Sequence, residues 1–230
     1  MTNGIDSFMV ITIDGPAGAG KSTAAAGLAR RLGFQLLNTG RMYRTAAAWM
    51  LRHRISPAEI EWRWKDVVVD WQGDDLRIDG QLFEASELSD ASLGPAAIQA
   101  VAANRAVRES MMVLQRAWCE GKRVVSEGRD QGSVVFPDSP CKIFLTASVD
   151  ERARRRFEEL RRSGHDPRLV EIVAAIQKRD DDDRQREVGP LVQPRDARVV
   201  TTDGKSPEEV VEELVQIVCQ ELSRGMPLPE

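Results

Sequence analysis

Eight consecutive residues, Gly15-Pro16-Ala17-Gly18-Ala19-Gly20-Lys21-Ser22, satisfy the pattern G-x-x-x-x-G-K-[ST] at every fixed position. What flanks them constrains the fold. Residues 8–13 form an almost unbroken apolar run, as expected of a parallel strand buried on both faces. After the loop, Ala25, Leu28, Ala29 and Leu32 recur at i, i+3, i+4 and i+7, and Gly33 supplies a stop, which reads as one amphipathic helix. Strand, glycine loop and helix in that order is the setting in which this pattern cradles phosphate. Loop amides converge on the anion, and the helix start adds about half a positive charge. Lys21 is expected to reach the β- and γ-phosphates of a nucleoside triphosphate, and the Ser22 hydroxyl to ligate Mg²⁺.

The rest of the chain extends the same architecture. Residues 8–13, 34–37, 122–126, 142–146 and 197–201 are five short β-rich runs separated by helical stretches. That alternation predicts an α/β fold with a five-stranded parallel sheet covered by helices on both faces. Residues 41–53 read as helix, and 94–121 as two consecutive helices. Residues 66–83 break the rhythm with an antiparallel hairpin or meander around Gly73-Asp74-Asp75, and predict a separate lobe over about 38–98. Residues 163–167 join two very polar helices and read as part of a lid, placed at about 155–170; the end of the chain, 225–230, reads as frayed.

Two further segments follow strands: Asn38-Thr39-Gly40-Arg41-Met42-Tyr43-Arg44, and Gly128-Arg129-Asp130. In open α/β sheets ligands sit beyond the carboxyl ends of the strands, so both are expected on the rim of the phosphate loop. The bland reading of the first is a helix entry capped by Thr39. In the charge run 178–186, Arg179, Asp183 and Arg186 fall at i, i+4 and i+7 on one helix face, and Arg152 and Arg156 form another i, i+4 pair. Both sets also read as solvated helix faces, with Glu158 and Glu159 available to Arg154 and Arg155; spacing alone does not separate the two readings. The arginines argue against a carboxylate metal cage. No general base stands out, and a phosphate acceptor needs none, because it is already ionised at neutral pH.

At this point the residues resemble the bacterial cytidylate kinases, among the nucleoside monophosphate kinases, from about Val10 to about Leu222. The resemblance rests on 13–22, on 39–44, on Gly128-Arg129-Asp130-Gln131-Gly132-Ser133-Val134-Val135-Phe136-Pro137-Asp138, on 142–148 and on 179–186. It implies a single P-loop NTPase-type three-layer kinase domain, with the 38–98 lobe binding the nucleoside monophosphate and the lid closing over ATP. It also implies transfer of the ATP γ-phosphate to CMP or dCMP across one arginine-lined cleft with Mg²⁺. Residues 15–23 (Gly15 to Ser22 and Thr23) would bind ATP together with Arg152, near the adenine, and Arg156, the lid arginine. Thr39, Arg108 and Asp130 would read cytosine, with the Asp130 carboxylate accepting from the exocyclic amine. Arg44 and Arg129 would hold the CMP phosphate, with Tyr43 in the same pocket. Arg179 and Asp183 would hold the ribose, and Arg186 would bridge toward the phosphates. Lys21, Arg129, Arg156 and Arg186 would be the catalytic charges. The chain departs from the family pattern at Asn38, Gln99, Glu127, Gln131 and Asp182.

Composition narrows the rivals. A net charge of −4 argues against bulk nucleic-acid binding. Three cysteines, Cys119, Cys141 and Cys219, without a C-x-x-C, predict buried free thiols in a reducing compartment. Residues 1–7 lack a signal-peptide pattern, and no apolar run approaches a membrane span, so a cytoplasmic protein with neither nucleic acid nor membrane as partner is expected; the resemblance implies a monomer acting on small molecules. Alternatives are a kinase of UMP or AMP, and a non-catalytic nucleotide-binding regulator. A GTP-dependent switch would carry N-K-x-D, absent from this sequence.

Overall fold

The computed structural model describes residues 9–225. The strands are β1 (Met9–Asp14), β2 (Gln35–Asn38), β5 (Arg123–Glu127), β6 (Cys141–Thr146) and β7 (Arg198–Thr201), in the order β2-β5-β1-β6-β7. Each matches its expected run to within one residue at either end, although position 8 lies outside the described residues. β1 pairs in parallel with β5 and with β6, and β6 in parallel with β7. The central position of β1 explains its composition: Val10 through Asp14 are all buried, so a strand in this place has no solvent face to fill with polar residues.

Chain contacts divide the molecule into two compact units. The first comprises residues up to Leu37, Cys119–Arg186 and Pro190 onward. Beside the sheet it holds α1 (Lys21–Leu32), α6 (Val149–Arg162), α7 (Leu169–Gln185) and α8 (Pro207–Gly225). Its core joins Ile11, Ile13, Val125, Ile143, Leu145 and Val200 of the sheet to Ala25 and Leu28 of α1, and to Val210, Leu214 and Val218 of α8. The α8 residues recur every four, so one stripe of the helix is buried. Ser206 and Glu209 start that helix with reciprocal bonds: the Glu209 N–H to Ser206 Oγ (3.2 Å), and the Ser206 N–H to Glu209 Oε2 (2.7 Å). Cys219 lies off the stripe and is exposed, whereas Cys119 and Cys141 are buried; the expectation of three buried thiols holds for two. The frayed end expected over 225–230 lies outside the described residues, apart from Gly225, where α8 ends.

The second unit runs from Asn38 to Trp118 and includes Glu187–Gly189. It contains α2 (Thr39–Arg52), α3 (Ile60–Arg63), β3 (Val69–Gln72), β4 (Asp75–Ile78), α4 (Asp90–Ala103) and most of α5 (Arg105–Cys119). β3 and β4 form the antiparallel hairpin that residues 66–83 suggested, turning at Gly73-Asp74. Trp49 fixes the hairpin to α2 by donating from Nε1 to Asp79 Oδ2 (2.9 Å), and it meets Trp64 edge-on at 5.4 Å. No helix among the described residues is long and apolar enough to cross a membrane.

Candidate active site

The glycine loop leaves β1 with its carbonyls held by side chains. Lys21 Nζ donates to Pro16 O (2.7 Å), Arg152 Nη1 to Ala17 O (3.1 Å) and Thr202 Oγ1 to Ala19 O (3.2 Å). Thr202 is itself gripped by Arg155, through Nη1 to its hydroxyl and Nη2 to its carbonyl. Gly15 has no alternative: at φ 150° a Cβ there would stand 1.9 Å from the Leu145 carbonyl oxygen. Gly20, in the left-handed region, begins α1 without any side-chain cap, leaving first-turn amides of the kind that bind anions. The Ser22 hydroxyl donates to Glu127 Oε1 (3.2 Å), from the end of β5.

Beyond that loop the first unit gathers charge. Asp183, buried on α7, accepts from Arg129 Nε (3.0 Å) and from Arg186. Burial alone would raise the Asp183 pKa, but Arg129 and Arg186 outweigh it and hold the carboxyl below its usual range. Lys21 is depressed well below the usual lysine value, first by burial and then by Arg129, with Arg179 adding to it. Lys21, Arg129, Arg179, Arg186 and Asp183 therefore share one electrostatic neighbourhood, although they span 21 to 186 in sequence. On α7 Asp183 is buried while Asp181 and Asp182 are exposed. The helix ends at Gln185, however, so Arg186 reaches Asp183 from the C-cap residue beyond the helix rather than from the i+7 position of its face.

Arg152 and Arg156 differ. Arg152 is 3% exposed; it donates to Ala147 O, to Ala17 O and to both carboxylate oxygens of Asp180 (3.0 and 2.7 Å). Its head group contacts loop backbone and a buried acid, so it braces the loop from behind. Arg156 is half-buried and pairs with Glu159 (2.8 Å). The solvated pairing expected of α6 is realised in part: Arg154 takes Glu158 as expected, and also Glu151, whereas Arg155 takes Glu151 and Glu159 goes to Arg156.

Within the second unit, Asn38 rather than Thr39 caps α2, accepting from the Arg41 N–H (2.9 Å). Thr39 is left as a buried residue of the first turn. Arg44 donates from Nη2 to Asp90 Oδ1 (2.9 Å) at the start of α4. Arg108 is buried, donates to Ala102 O (3.0 Å) and stacks over the Tyr43 ring at 5.3 Å, so two residues 65 positions apart are brought together. Sequence reasoning missed the roles of Asp180, Thr202, Arg155 and Asp90, and considered Asp14 only as a water-mediated Mg²⁺ ligand. Only Asp14 carried a signal, as an acid ending an otherwise apolar strand.

The sequence profile of the family described as Cytidylate kinase matches residues 11–220. The chain is 44% identical to a cytidylate kinase of Rhodopirellula baltica over 213 residues, 91% of this chain and 92% of that one. It is 42% identical to a cytidylate kinase of Caldanaerobacter subterraneus subsp. tengcongensis over 219 residues, 93% of this chain and 96% of that one. Among solved structures, TT1252 from Thermus thermophilus is similar at 22% identity, with 93% of this chain and 97% of that one covered and a TM-score of 0.46.

Proposed function

The chain belongs to the cytidylate kinase family, ATP-dependent kinases of nucleoside monophosphates, and from that premise we propose which of its residues carry transfer of the γ-phosphoryl group to CMP or dCMP. In the first unit, the loop Gly15–Ser22, with Thr23, binds the ATP phosphates through its amides and Lys21. Arg152 serves ATP indirectly by bracing that loop, and Arg156 belongs to a lid over about 155–170. Arg129 holds the acceptor phosphate, Asp130 reads the cytosine amine, Arg179 and Asp183 hold the ribose, and Arg186 reaches toward the phosphates. In the second unit, Arg44 binds the acceptor phosphate, while Thr39, Tyr43 and Arg108 frame the base.

The observation that carries this reading is the gathering of Lys21, Arg129, Arg179 and Arg186 beside the loop, with Asp183 bonded to Arg129 and Arg186. The four cations, offset in part by the carboxylates of Asp183, Glu127 and Asp14, leave a positive field beside a phosphate-binding loop. Such a field is complementary to charge on equatorial phosphoryl oxygens, which is most of what phosphoryl transfer asks of a protein. The depressed Lys21 pKa fits the same picture, since binding of an anion would relieve that repulsion. Ser22 Oγ and the Glu127 carboxylate offer adjacent hard oxygen donors, the set Mg²⁺ prefers when phosphates complete its shell. When bound, Mg²⁺ would neutralise phosphate charge. The acceptor phosphate is already an oxyanion, so the protein's part is positioning and exclusion of water. We place the enzyme in the cytoplasm, as a monomer acting on small molecules.

Replacing the base-reading carboxylate tests the assignment. Asp130→Asn should collapse the CMP over UMP preference in kcat/KM, because the amide can donate to the uracil carbonyl. An unchanged preference would contradict it.

A further inference from the structure

Asp14 is the last residue of β1, 1% exposed. Both its carboxylate oxygens point to backbone: Oδ1 accepts from the Gln131 N–H (2.8 Å) and Oδ2 from the Gly132 N–H (2.7 Å). Those amides open the π-helical turn Gln131–Val135. On the near side of Arg129, the Gly128 N–H donates to Ile13 O (3.0 Å). The segment carrying Arg129 and Asp130 is therefore pinned to the end of β1 before and after those two residues.

Asp130 stands in the N-cap position of that turn, where an aspartate ordinarily spends its own side chain on the leading amides. Here it makes no side-chain cap bond. Asp14 takes the amides instead, from the end of β1. Close seating reinforces the arrangement: a Cβ on Gly132 would lie 2.7 Å from Thr12 Oγ1. Gln131 is tied down separately, its Oε1 accepting from Ser126 Oγ (2.7 Å).

We propose that Asp14 is a positioning residue for the acceptor site, acting as an external cap that holds the Arg129-Asp130 turn in place. This rests on the reading of Arg129 and Asp130 as acceptor ligands. Only a carboxylate meets the requirement, because it offers two acceptor oxygens to two converging N–H donors. An asparagine offers one, and turns an NH₂ toward the other donor. Burial raises the Asp14 pKa to about 6, with Asp130 adding to the rise; the two amide bonds and Lys21 oppose it. A charge kept at that cost is consistent with a site that needs both acceptors.

The test is Asp14→Asn beside Arg129→Lys, with KM measured separately for CMP and for ATP. Asp14→Asn should raise the CMP KM by roughly tenfold to a hundredfold, the worth of one hydrogen bond to a charged group, and weaken discrimination against UMP. The ATP KM should rise less than the CMP KM, since Lys21, Arg152 and Thr202 brace the loop carbonyls, even though the Asp14 charge also acts on Lys21. If Arg129→Lys raises the CMP KM and Asp14→Asn does not, or if Asp14→Asn raises both KM values alike, the positioning role is overturned. If neither variant moves the CMP KM, the acceptor-site reading fails and this inference falls with it. Amide hydrogen exchange on the wild-type protein needs no variant to fold. Gln131 and Gly132 should exchange as slowly as the amides of β1, and exchange as fast as exposed loop amides would overturn the external cap.

Discussion

Asp180→Asn is the substitution whose cost the structure specifies most fully. The Arg152 and Asp180 side chains are each 3% exposed, and they meet through two bonds of 2.7 and 3.0 Å. The guanidinium's remaining bonds go to the carbonyls of Ala147 and Ala17, which carry no net charge. Loss of the aspartate charge leaves a buried cation without a counterion, a change worth about 3–5 kcal/mol. Arg184, 3.9 Å from Asp180 and about half-exposed, adds little in either direction. For a chain of this size that corresponds to a fall in Tm of roughly 6–20 °C; an asparagine that keeps one acceptor belongs at the lower end. Differential scanning calorimetry of Asp180→Asn, with the double variant Arg152→Met/Asp180→Leu, separates charge from packing. The double variant should recover most of the lost stability, because removing both buried charges is close to neutral. It should still bind ATP more weakly, because the Ala17 carbonyl has lost its donor. A single variant within about 2 °C of wild type, or a double variant as unstable as the single, would refute the reasoning.

Three other outcomes are expected. Arg129→Ala should lower turnover with CMP by on the order of 10³ or more while circular dichroism and Tm show a retained fold; near-normal kcat and KM would remove Arg129 from the acceptor site. Gly15→Ala should abolish ATP binding, since its methyl group would stand 1.9 Å from Leu145 O at a φ of 150°; tight ATP binding measured by calorimetry would contradict the loop geometry. Asp14 should make stability depend on pH in a defined sense. Its folded pKa of about 6 lies above the ordinary 3.8, so the folded state binds the extra proton between those values. The penalty is full above about pH 6, fades as pH falls toward 3.8, and totals about 3 kcal/mol. The wild-type minus Asp14→Asn difference in unfolding free energy should therefore rise by about that amount from pH 7 to pH 4; a flat difference would contradict the buried, ionised state.

The parts of this protein legible in its sequence are those whose chemistry is local. The loop, its strand and its helix are contiguous, and the central strand β1 announces itself because a buried parallel strand tolerates few polar residues. The edge strands β2 and β7 each bury a single residue and show only a short apolar pair. The period of α7 placed Arg179 and Asp183, but not Arg186, which follows the end of the helix at Gln185. What escaped depends on pairing across long separations. Asp180 sits inside a run of four aspartates, and only the fold distinguishes it, by setting it against Arg152 on another helix. Asp90 and Thr202 look like ordinary helix-start and loop residues. The second unit's limit at Trp118 has no compositional mark, because α5 continues as one amphipathic helix into the first unit. Asn38 displaced Thr39 as cap although both are good caps, a choice that rests on where β2 ends. The exposure of Cys219 was available from periodicity, since it falls one residue past Val218 on the buried stripe of α8.

The central claim is that the arginine cluster and the Arg129-Asp130 turn serve a cytidine monophosphate acceptor. ADP release coupled to NADH oxidation, with ATP, Mg²⁺ and CMP, dCMP, UMP, AMP or GMP in parallel, tests it most directly. The account predicts strong turnover with CMP, measurable turnover with dCMP and weak turnover with UMP. Preference for UMP or a purine monophosphate, or no turnover with any acceptor despite tight ATP binding, would contradict it.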